Sequence, residues 1–165
     1  MELLQIISQL ERFIVDPTNG LPEDVFLLVS RITPLINVDL LITNGEKQTL
    51  LTWRDDGYYP SGWHIPGGII RYKETAADRI CAVAMAELGT TVEHQPTPLA
   101  INELIHPSLR NRGHFISLLY KCALTGQLDE NIKFNGRNPR PGEWAWHNKC
   151  PDNIISIHEI YRKYF

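Results

Sequence analysis

The stretch GWHIPGGIIRYKETAADRICAVAMAELGTT, residues 62–91, decides the fold of this protein. An apolar segment ends in two glycines, a polar loop follows, and a helical pattern then runs up to Gly89. Thr75 and Asp78 are spaced as in a capping box, and glycine is typical of the position after a helix end. The pattern therefore predicts a helix over residues 75–88. Its predicted core-facing positions are small or apolar: Ala77, Ile80, Cys81, Ala84 and Leu88.

Outside this stretch, the composition limits the class of protein. The chain has 165 residues, of which 43% are hydrophobic and 21% charged, and this predicts one folded domain with a substantial core. A net charge of −3 argues against non-specific nucleic-acid binding, and no apolar run reaches the roughly 20 residues that cross a bilayer. The three cysteines lack metal-ligand spacing, and the N-terminus lacks the features of a signal peptide. We therefore expect a cytoplasmic protein with no nucleic-acid or membrane partner.

Turn residues divide the first third of the chain into short elements. Helical spacing of apolar residues predicts an N-terminal helix over residues 3–15, which would pack on the body or on a second copy of the chain. A second helix is predicted over residues 22–32, with Pro22 in its first turn and two acids behind it. The apolar, β-branched segments 34–43 and 49–54 flank an Asn-Gly turn and predict a hairpin.

The second half of the chain alternates apolar segments with loops rich in glycine and proline. Strands are predicted over residues 98–107 and 114–126, joined by the basic loop SLRNRG. A shorter strand is predicted over residues 143–148, and a closing helix over residues 152–165. Strands that surround one central helix and end in another indicate an α/β (α+β) protein with a mixed sheet between helices.

The central stretch resembles the signature of the Nudix hydrolases, G-x5-E-x7-R-E-U-x-E-E-x-G-U, where U is a bulky aliphatic residue. Four residues fall on its spacing: Gly68, Glu74, Glu87 and Gly89. The resemblance extends over residues 34–165 and implies the Nudix fold, a mixed β-sheet sandwiched between helices. Residues 1–33 lie outside it, and we interpret them as an N-terminal helical extension.

The same stretch departs from the signature where the family carries charge. Ala82 and Val83 stand at its Arg-Glu pair, and Ala86 stands at the first of its paired glutamates. A similarly depleted signature is typical of one branch, the GDP-mannose mannosyl hydrolases, whose helix also ends in MAELG. Asp39 and Arg54 resemble an aspartate in the first strand of that branch and an arginine after its second strand. The branch cleaves at the sugar carbon and releases GDP.

The resemblance implies a hydrolase of nucleotide sugars that depends on Mg²⁺, with Mn²⁺ as an alternative. Mg²⁺ often takes one or two protein carboxylates and completes its coordination with phosphates and water. The implied ligands are Glu87 and the carbonyl of Gly67. A third is implied from the loop before Trp144, where Asn138 is the first candidate and Glu143 the second. Attack at phosphorus uses helix carboxylates that this chain lacks, whereas loss of a diphosphate from a sugar carbon needs fewer of them.

Arginine suits a diphosphate leaving group, because its guanidinium binds phosphate oxygens in pairs. Arg54 is the candidate catalytic clamp and substrate contact. Arg71 and the acid Asp39 are further candidate substrate contacts. The catalytic histidine of the branch has no counterpart at its position in this chain. Either His106 or His114 is therefore the candidate base, since histidine titrates near neutral pH.

Two other functions stay open from the residues alone. One is an ordinary Nudix pyrophosphohydrolase that acts on a nucleoside diphosphate linked to another moiety. The other is a nucleotide-binding or sensing module that has kept the pocket and lost turnover. A homodimer is expected, from the resemblance and because an isolated amphipathic helix needs a packing partner.

Overall fold

A computed structural model describes residues 2–165 of the protein. Within them the α-helices are α1 (Leu3–Glu11), α2 (Glu23–Ile32) and α3 (Ala76–Leu88). The strands follow in chain order: β1 (Leu35–Ile42), β2 (Thr49–Arg54), β3 (Gly62–His64), β4 (Gly67–Ile69), β5 (Val92–His94), β6 (Ala100–Ile105), β7 (His114–Leu124) and β8 (Trp144–His147). Short 3-10 helices lie at Pro17–Asn19 and Glu130–Ile132, and a longer one, Ser156–Tyr164, closes the chain. In this described part, no helix combines the length and apolar character needed to cross a membrane.

The described strands form two sheets. In the larger sheet the order is β4, β1, β7, β5, and β6 also pairs with β7. Strands β1 and β7 are parallel and the other pairs of this sheet are antiparallel. The smaller sheet is antiparallel, in the order β3, β2, β8. The predicted mixed sheet with flanking helices is confirmed, and the structure adds the second sheet.

The predicted hairpin between residues 34–43 and 49–54 is wrong beyond its turn. One bridge joins Thr43 to Thr49, and the side-chain oxygen of Asn44 accepts two backbone amides of the turn. Past this point β1 enters the larger sheet and β2 the smaller one. The strands separate because each has a longer partner elsewhere: β1 pairs with β7 at eight positions, and β2 pairs with β8 at four.

Helix α3 begins and ends as the sequence predicts. Thr75 and Asp78 form a reciprocal capping box, and Gly89 ends the helix in the left-handed conformation with φ 63°. The apolar residues that α3 buries pack against β1 and β7 in the main core: Ile80, Val83, Ala84 and Leu88.

The orientation of α3 about its own axis differs from the prediction. Ala77 and Cys81 were expected in the core and are exposed, whereas Val83 is buried. Val83 lies against Gly68, where an added Cβ would come within 2.7 Å of its side chain. The missing side chain of Gly68 therefore lets the Val83 face of the helix approach the sheet.

The N-terminal extension attaches to the opposite face of the larger sheet through α2. Phe26 and Val29 pack on a small core cluster that contains Leu35, which alternates along β1 with the residues facing α3. Helix α1, by contrast, buries no residue against the body, and Leu3 and Leu4 are exposed. The division into residues 1–33 and 34–165 stays a prediction.

The closing segment is a 3-10 helix instead of the ordinary helix predicted over residues 152–165. A 3-10 helix has three residues per turn, so His158 and Tyr161 lie on the same side. Both side chains are buried. The closing helix therefore delivers two polar side chains to the interior at one place.

Candidate active site

A polar cavity of about 140 Å³ opens where β1, β4 and the closing 3-10 helix meet. The charged side chains on its wall are Asp39, Arg54 and Arg112. Two histidines, His64 and His158, also line it. The cavity thus collects acidic, basic and imidazole groups in a space suited to one phosphate or one sugar.

Gly67 lies between two carboxylates at the edge of this cavity. Its amide donates to Oε1 of Glu87 at 3.1 Å. On its other side, a Cβ would collide with the carboxylate of Asp39 and the carbonyl of Val38. Glycine is therefore required here, because two acids and the backbone approach one another so closely.

Glu87 is a carboxylate without a permanent positive partner. The hydroxyl of Thr52 lies 2.9 Å from its Oε2, and the amide of Gly67 is bonded to its Oε1. Although the side chain keeps 26% exposure, the protein encloses most of the carboxylate. Burial raises the pKa of Glu87 to about 7, and the charge of Asp39 adds to this effect. At neutral pH the proton is loosely held, and a bound cation would replace it.

A chain of hydrogen bonds joins His64 to Glu87 through Thr52. Nδ1 of His64 faces the carbonyl of Ile65 at 2.9 Å, so it carries the proton of the neutral ring. Burial lowers the pKa of His64 to about 3, and its Nε2 then accepts from the hydroxyl of Thr52 at 3.0 Å. Thr52 has one proton to donate. When Glu87 is protonated it can donate to the oxygen of Thr52, and the Thr52 hydroxyl can then donate to His64. When Glu87 is ionised, it and His64 compete for the single proton of the Thr52 hydroxyl.

Asp39 is held in one orientation by a buried network. The hydroxyls of Ser117 and Tyr161 each donate to its Oδ2 at 2.5 Å, and the amide of Asn37 donates to its Oδ1 at 3.0 Å. Burial raises the pKa of Asp39, and these three bonds oppose that shift. The residue is 1% exposed, so its only open side is the cavity.

Arg54 reaches the cavity from the end of β2. Its Nε and Nη2 donate to Oδ2 of Asp56 at 2.8 and 2.5 Å, and its guanidinium lies 5.2 Å from the ring centre of Tyr59. Burial opposes the ionisation of Asp56, but the bonds and the charge of Arg54 outweigh it and lower the pKa of Asp56. Arg54 is therefore held as an ordered cation.

Arg112 is a second cation at the cavity. It comes from the basic loop between β6 and β7, and its backbone adopts a φ of 52° while its amide donates to Oγ of Ser30. Its guanidinium lies 4.3 Å from the ring centre of Tyr58, with Nη1 3.8 Å from Asp56. Its Nε is buried and has no hydrogen-bond partner within residues 2–165. Two arginines thus share one aspartate, which leaves excess positive charge suited to phosphate.

His158, like Arg112, lines the cavity and was not among the predicted site residues. Its Nδ1 accepts the amide of Ile65 at 3.1 Å, so the neutral ring carries its proton on Nε2. Burial lowers the pKa of His158 to about 3. The sequence signal for both His158 and Arg112 is weak, because a histidine in a closing helix and an arginine in a basic loop are ordinary surface patterns.

Half of the predicted site residues come together. Asp39, Arg54 and Gly67 line the cavity, and Glu87 contacts Gly67. The other four do not line it: His106, His114, Arg71 and Asn138. His106 packs edge-on against Tyr59 with ring centres 5.7 Å apart, and His114 lies 3.3 Å from Glu103. Arg71 lines a neighbouring cavity, and Asn138 is exposed in the loop before β8.

The acids present fit a magnesium ion with few protein ligands. Within residues 2–165, no three Asp, Glu, His or Cys side chains surround a common metal position. The carboxylate of Glu74 accepts hydrogen bonds of 2.8 and 2.7 Å from the guanidinium of Arg79, and the carboxylate of Glu143 accepts hydrogen bonds from Arg140, so both acids are already paired. Glu87 keeps its carboxylate free of such pairing. One carboxylate and a backbone carbonyl suffice for Mg²⁺ when phosphates and water supply the remaining ligands.

Comparison with known proteins defines the class. The sequence model of the NUDIX domain family matches residues 33–149. The chain therefore belongs to the Nudix family, and the prediction of a Nudix-type hydrolase is confirmed at the level of the family. The match ends before the closing 3-10 helix, so His158 lies outside the matched residues.

A curated relative is similar to part of the chain. The low-salt glycan biosynthesis protein Agl8 of Haloferax volcanii is 36% identical over 76 residues, which are 46% of this chain. The chain spans about half of that relative, 48% of its length.

Solved structures share the fold. A MutT NUDIX hydrolase from Burkholderia pseudomallei superposes with a TM-score of 0.62 at 19% identity, covering 79% of this chain and 97% of that one. A NUDIX hydrolase from Nitrosomonas europaea superposes with a TM-score of 0.55 at 16% identity, covering 79% of this chain and 78% of that one. A UDP-X diphosphatase superposes with a TM-score of 0.57 at 18% identity, covering 98% of this chain and 87% of that one. At these identities the likeness establishes the fold alone.

Proposed function

We propose that this protein is a Mg²⁺-dependent hydrolase of nucleotide sugars, which cleaves the glycosyl C–O bond and releases a nucleoside diphosphate. The observation that carries the proposal is that α3 brings one acid, Glu87, to the cavity edge. Val83 is packed beneath Gly68, and Ala86 is exposed. Departure of a diphosphate from carbon does not need the additional helix carboxylates that several metals at phosphorus would require.

The positive charge of the cavity suits the leaving group. As the C–O bond breaks, negative charge develops on the diphosphate, and fixed guanidinium groups stabilise it without rearrangement. Arg54 and Arg112 are held in place for this role by Asp56, Tyr58 and Tyr59. A Mg²⁺ ion held by Glu87 and the carbonyl of Gly67 would supply further electrostatic stabilisation of the same diphosphate.

We assign the activation of water to Asp39. Of the four histidines considered, His106 and His114 do not line the cavity, Nδ1 of His158 accepts a backbone amide, and Nε2 of His64 accepts a hydroxyl. Asp39 lines the cavity, and its raised pKa makes it a stronger base than an ordinary aspartate. The water oxygen bonds to the anomeric carbon, the bond to the diphosphate breaks with its electron pair, and the water proton passes to Asp39.

The relatives guide the choice of substrate. The name of the Haloferax volcanii relative assigns that protein to glycan biosynthesis, and this is consistent with a sugar substrate here. GDP-mannose is the first compound to test, because the depleted signature resembles that of the GDP-mannose mannosyl hydrolases. The cytoplasmic location and the homodimer stay predictions.

The deciding experiment follows phosphorus NMR spectra of GDP-mannose and GDP-glucose with Mg²⁺ in ¹⁸O-labelled water. The proposal predicts that the nucleotide product is GDP without label in its phosphates, with no GMP and no sugar phosphate. Label in a phosphate, with GMP and a sugar phosphate as products, would contradict the proposal and favour the pyrophosphohydrolase alternative. Nucleotide binding without any turnover would favour the sensing module.

Two variants control this experiment. Glu87→Gln should abolish metal-dependent turnover, because it removes the carboxylate that we assign to Mg²⁺. Glu93→Gln removes an exposed acid of β5 and should leave turnover unchanged. Equal activity of the two variants would refute the metal assignment.

A further inference from the structure

A second cavity lies beside the first one, between the N-terminal extension and the larger sheet. Its volume is about 450 Å³. One wall comes from the extension, including Leu21, Phe26 and Val29, and the other from β1, the end of β4 at Ile69 and the segment after it, including Arg71. We refer to this cavity as the extension groove.

The extension groove and the candidate active site are contiguous. The side chain of Ile69, which follows the two glycines of β4, lines both. Phe26 lines the groove, and its ring centre lies 5.7 Å from the guanidinium of Arg112, which lines the active site. A ligand that leaves the active site past Ile69 therefore enters the groove.

The size of the active site makes such a continuation necessary. Its volume is about 140 Å³, while pockets that bury a whole small-molecule ligand measure about 300–1,000 Å³. A diphosphate with a sugar on one end and a nucleoside on the other cannot fit into the first cavity. The extension groove, at about 450 Å³, supplies the missing space next to it.

The chemistry of the groove suits a nucleoside. Phe26 and Val29 give the extension wall an apolar surface against which a flat base can lie, and Ile69 adds an apolar side chain on the facing wall. Arg71 lies beside Ile69 on that facing wall, and no carboxylate in residues 2–165 forms an ion pair with it, so its guanidinium can donate to carbonyl oxygens or ring nitrogens of a base. Arg79 also lines the groove, but Glu74 pairs with it.

We propose that the extension groove binds the nucleoside of the substrate, so that the N-terminal extension is part of the substrate site. This inference rests on the proposed function, which supplies a nucleoside diphosphate as the ligand. Arg54 and Arg112 hold the diphosphate in the active site, the sugar lies toward Asp39, and the base lies between α2 and Arg71.

The test compares the binding of GDP, ADP and UDP with that of inorganic pyrophosphate, by calorimetry in the presence of Mg²⁺. Leu21→Trp fills the groove from the extension. Val15→Trp is the matched control, because Val15 is 95% exposed in the same extension. Arg71→Gln removes the polar contact without filling the groove and serves if the tryptophan variant does not fold.

We expect the wild type to bind at least one of the nucleotides about tenfold to a hundredfold more tightly than pyrophosphate, as stacking of a base would give. Leu21→Trp should lose this advantage and keep the affinity for pyrophosphate, while Val15→Trp should match the wild type. Arg71→Gln should weaken nucleotide binding alone.

Two results overturn the inference, and they can be told apart from failure of the proposed function. The assignment of the nucleoside to the groove, and that alone, would be refuted if nucleotides bound no more tightly than pyrophosphate. It would also be refuted if a folded Leu21→Trp or Arg71→Gln variant kept the nucleotide affinity of the wild type. If the wild type bound neither pyrophosphate nor any nucleotide, the proposed function and the groove would both fall.

Discussion

Replacement of Glu87 by glutamine should stabilise the metal-free protein at neutral and alkaline pH. The pKa of Glu87 rises from an ordinary 4.5 to about 7 in the folded protein, mainly because of burial. A raised pKa means that the folded state holds a proton that the unfolded state has released. The contribution of Glu87 to stability is thus fully present below pH 4.5 and is lost as the pH rises through about 7.

The size of this effect follows from the shift. Between the two pKa values, the free energy of unfolding should fall by about 1.4 kcal/mol per pH unit, or about 3 kcal/mol in all. Because the side chain keeps 26% exposure, this value is an upper bound. Glutamine cannot ionise, so Glu87→Gln should match the wild type near pH 4.5 and exceed it by up to that amount above pH 7.

The measurement is urea unfolding with a chelator present, from about pH 5 to about pH 9, for the wild type, Glu87→Gln and the control Glu93→Gln. The difference between variants isolates Glu87 from the buried histidines, whose depressed pKa values act in the opposite direction. A difference that does not change with pH, or an equal gain in Glu93→Gln, would refute the electrostatic reasoning. Added Mg²⁺ should stabilise the wild type and leave Glu87→Gln unaffected.

Three further predictions concern other parts of the site. His158→Asn should flatten acid destabilisation by about 1.4 kcal/mol per pH unit between about pH 4 and about pH 6, because below pH 6.5 the unfolded chain binds a proton at His158 that the buried ring does not bind until about pH 3; an unchanged slope in urea titrations would contradict this. Gly67→Ala should cost about 2 kcal/mol or more, since its Cβ collides with neighbouring atoms, whereas Gly45→Ala, in open space, should cost far less; equal melting temperatures would contradict the steric argument. Arg112→Gln should weaken pyrophosphate binding about tenfold, while the exposed loop residue in Arg110→Gln should not; calorimetry decides.

The residues predicted correctly belong to local patterns. The capping box of Thr75 and Asp78 and the helix end at Gly89 depend on neighbours within one helical turn, so the sequence contains all the information needed. The glycine pair before that helix is a local feature as well, and the structure shows that Gly67 allows a close backbone approach there. What the pattern did not reveal is the partner in that approach, which for Gly67 is the carboxylate of Asp39 on another strand.

The missed residues reach the site from distant parts of the chain. The hydroxyl of Thr52 bonds to Glu87, which lies 35 residues later in the sequence. Ser30 accepts the amide of Arg112 across 82 residues, and His158 accepts the amide of Ile65 across 93 residues. Each of these residue types is ordinary in its local context. His106 is the opposite case: its position in the sequence suggested a site residue, but the structure does not place it there. It directly follows β6, whose Leu104 lines the cavity, yet His106 packs edge-on against Tyr59 and does not line the cavity itself.

The sequence by itself determined the Nudix frame, the helix that carries Glu87 and the loss of the other helix acids, because these are properties of residues close together in the chain. Only the tertiary structure decided which charges share a cavity. The pKa of Glu87, the pairing of Arg54 and Arg112 around Asp56, and the closing of a groove by the extension all depend on distances between separate elements. Burial and proximity set the electrostatics of a site, and neither is encoded at a single position of the chain.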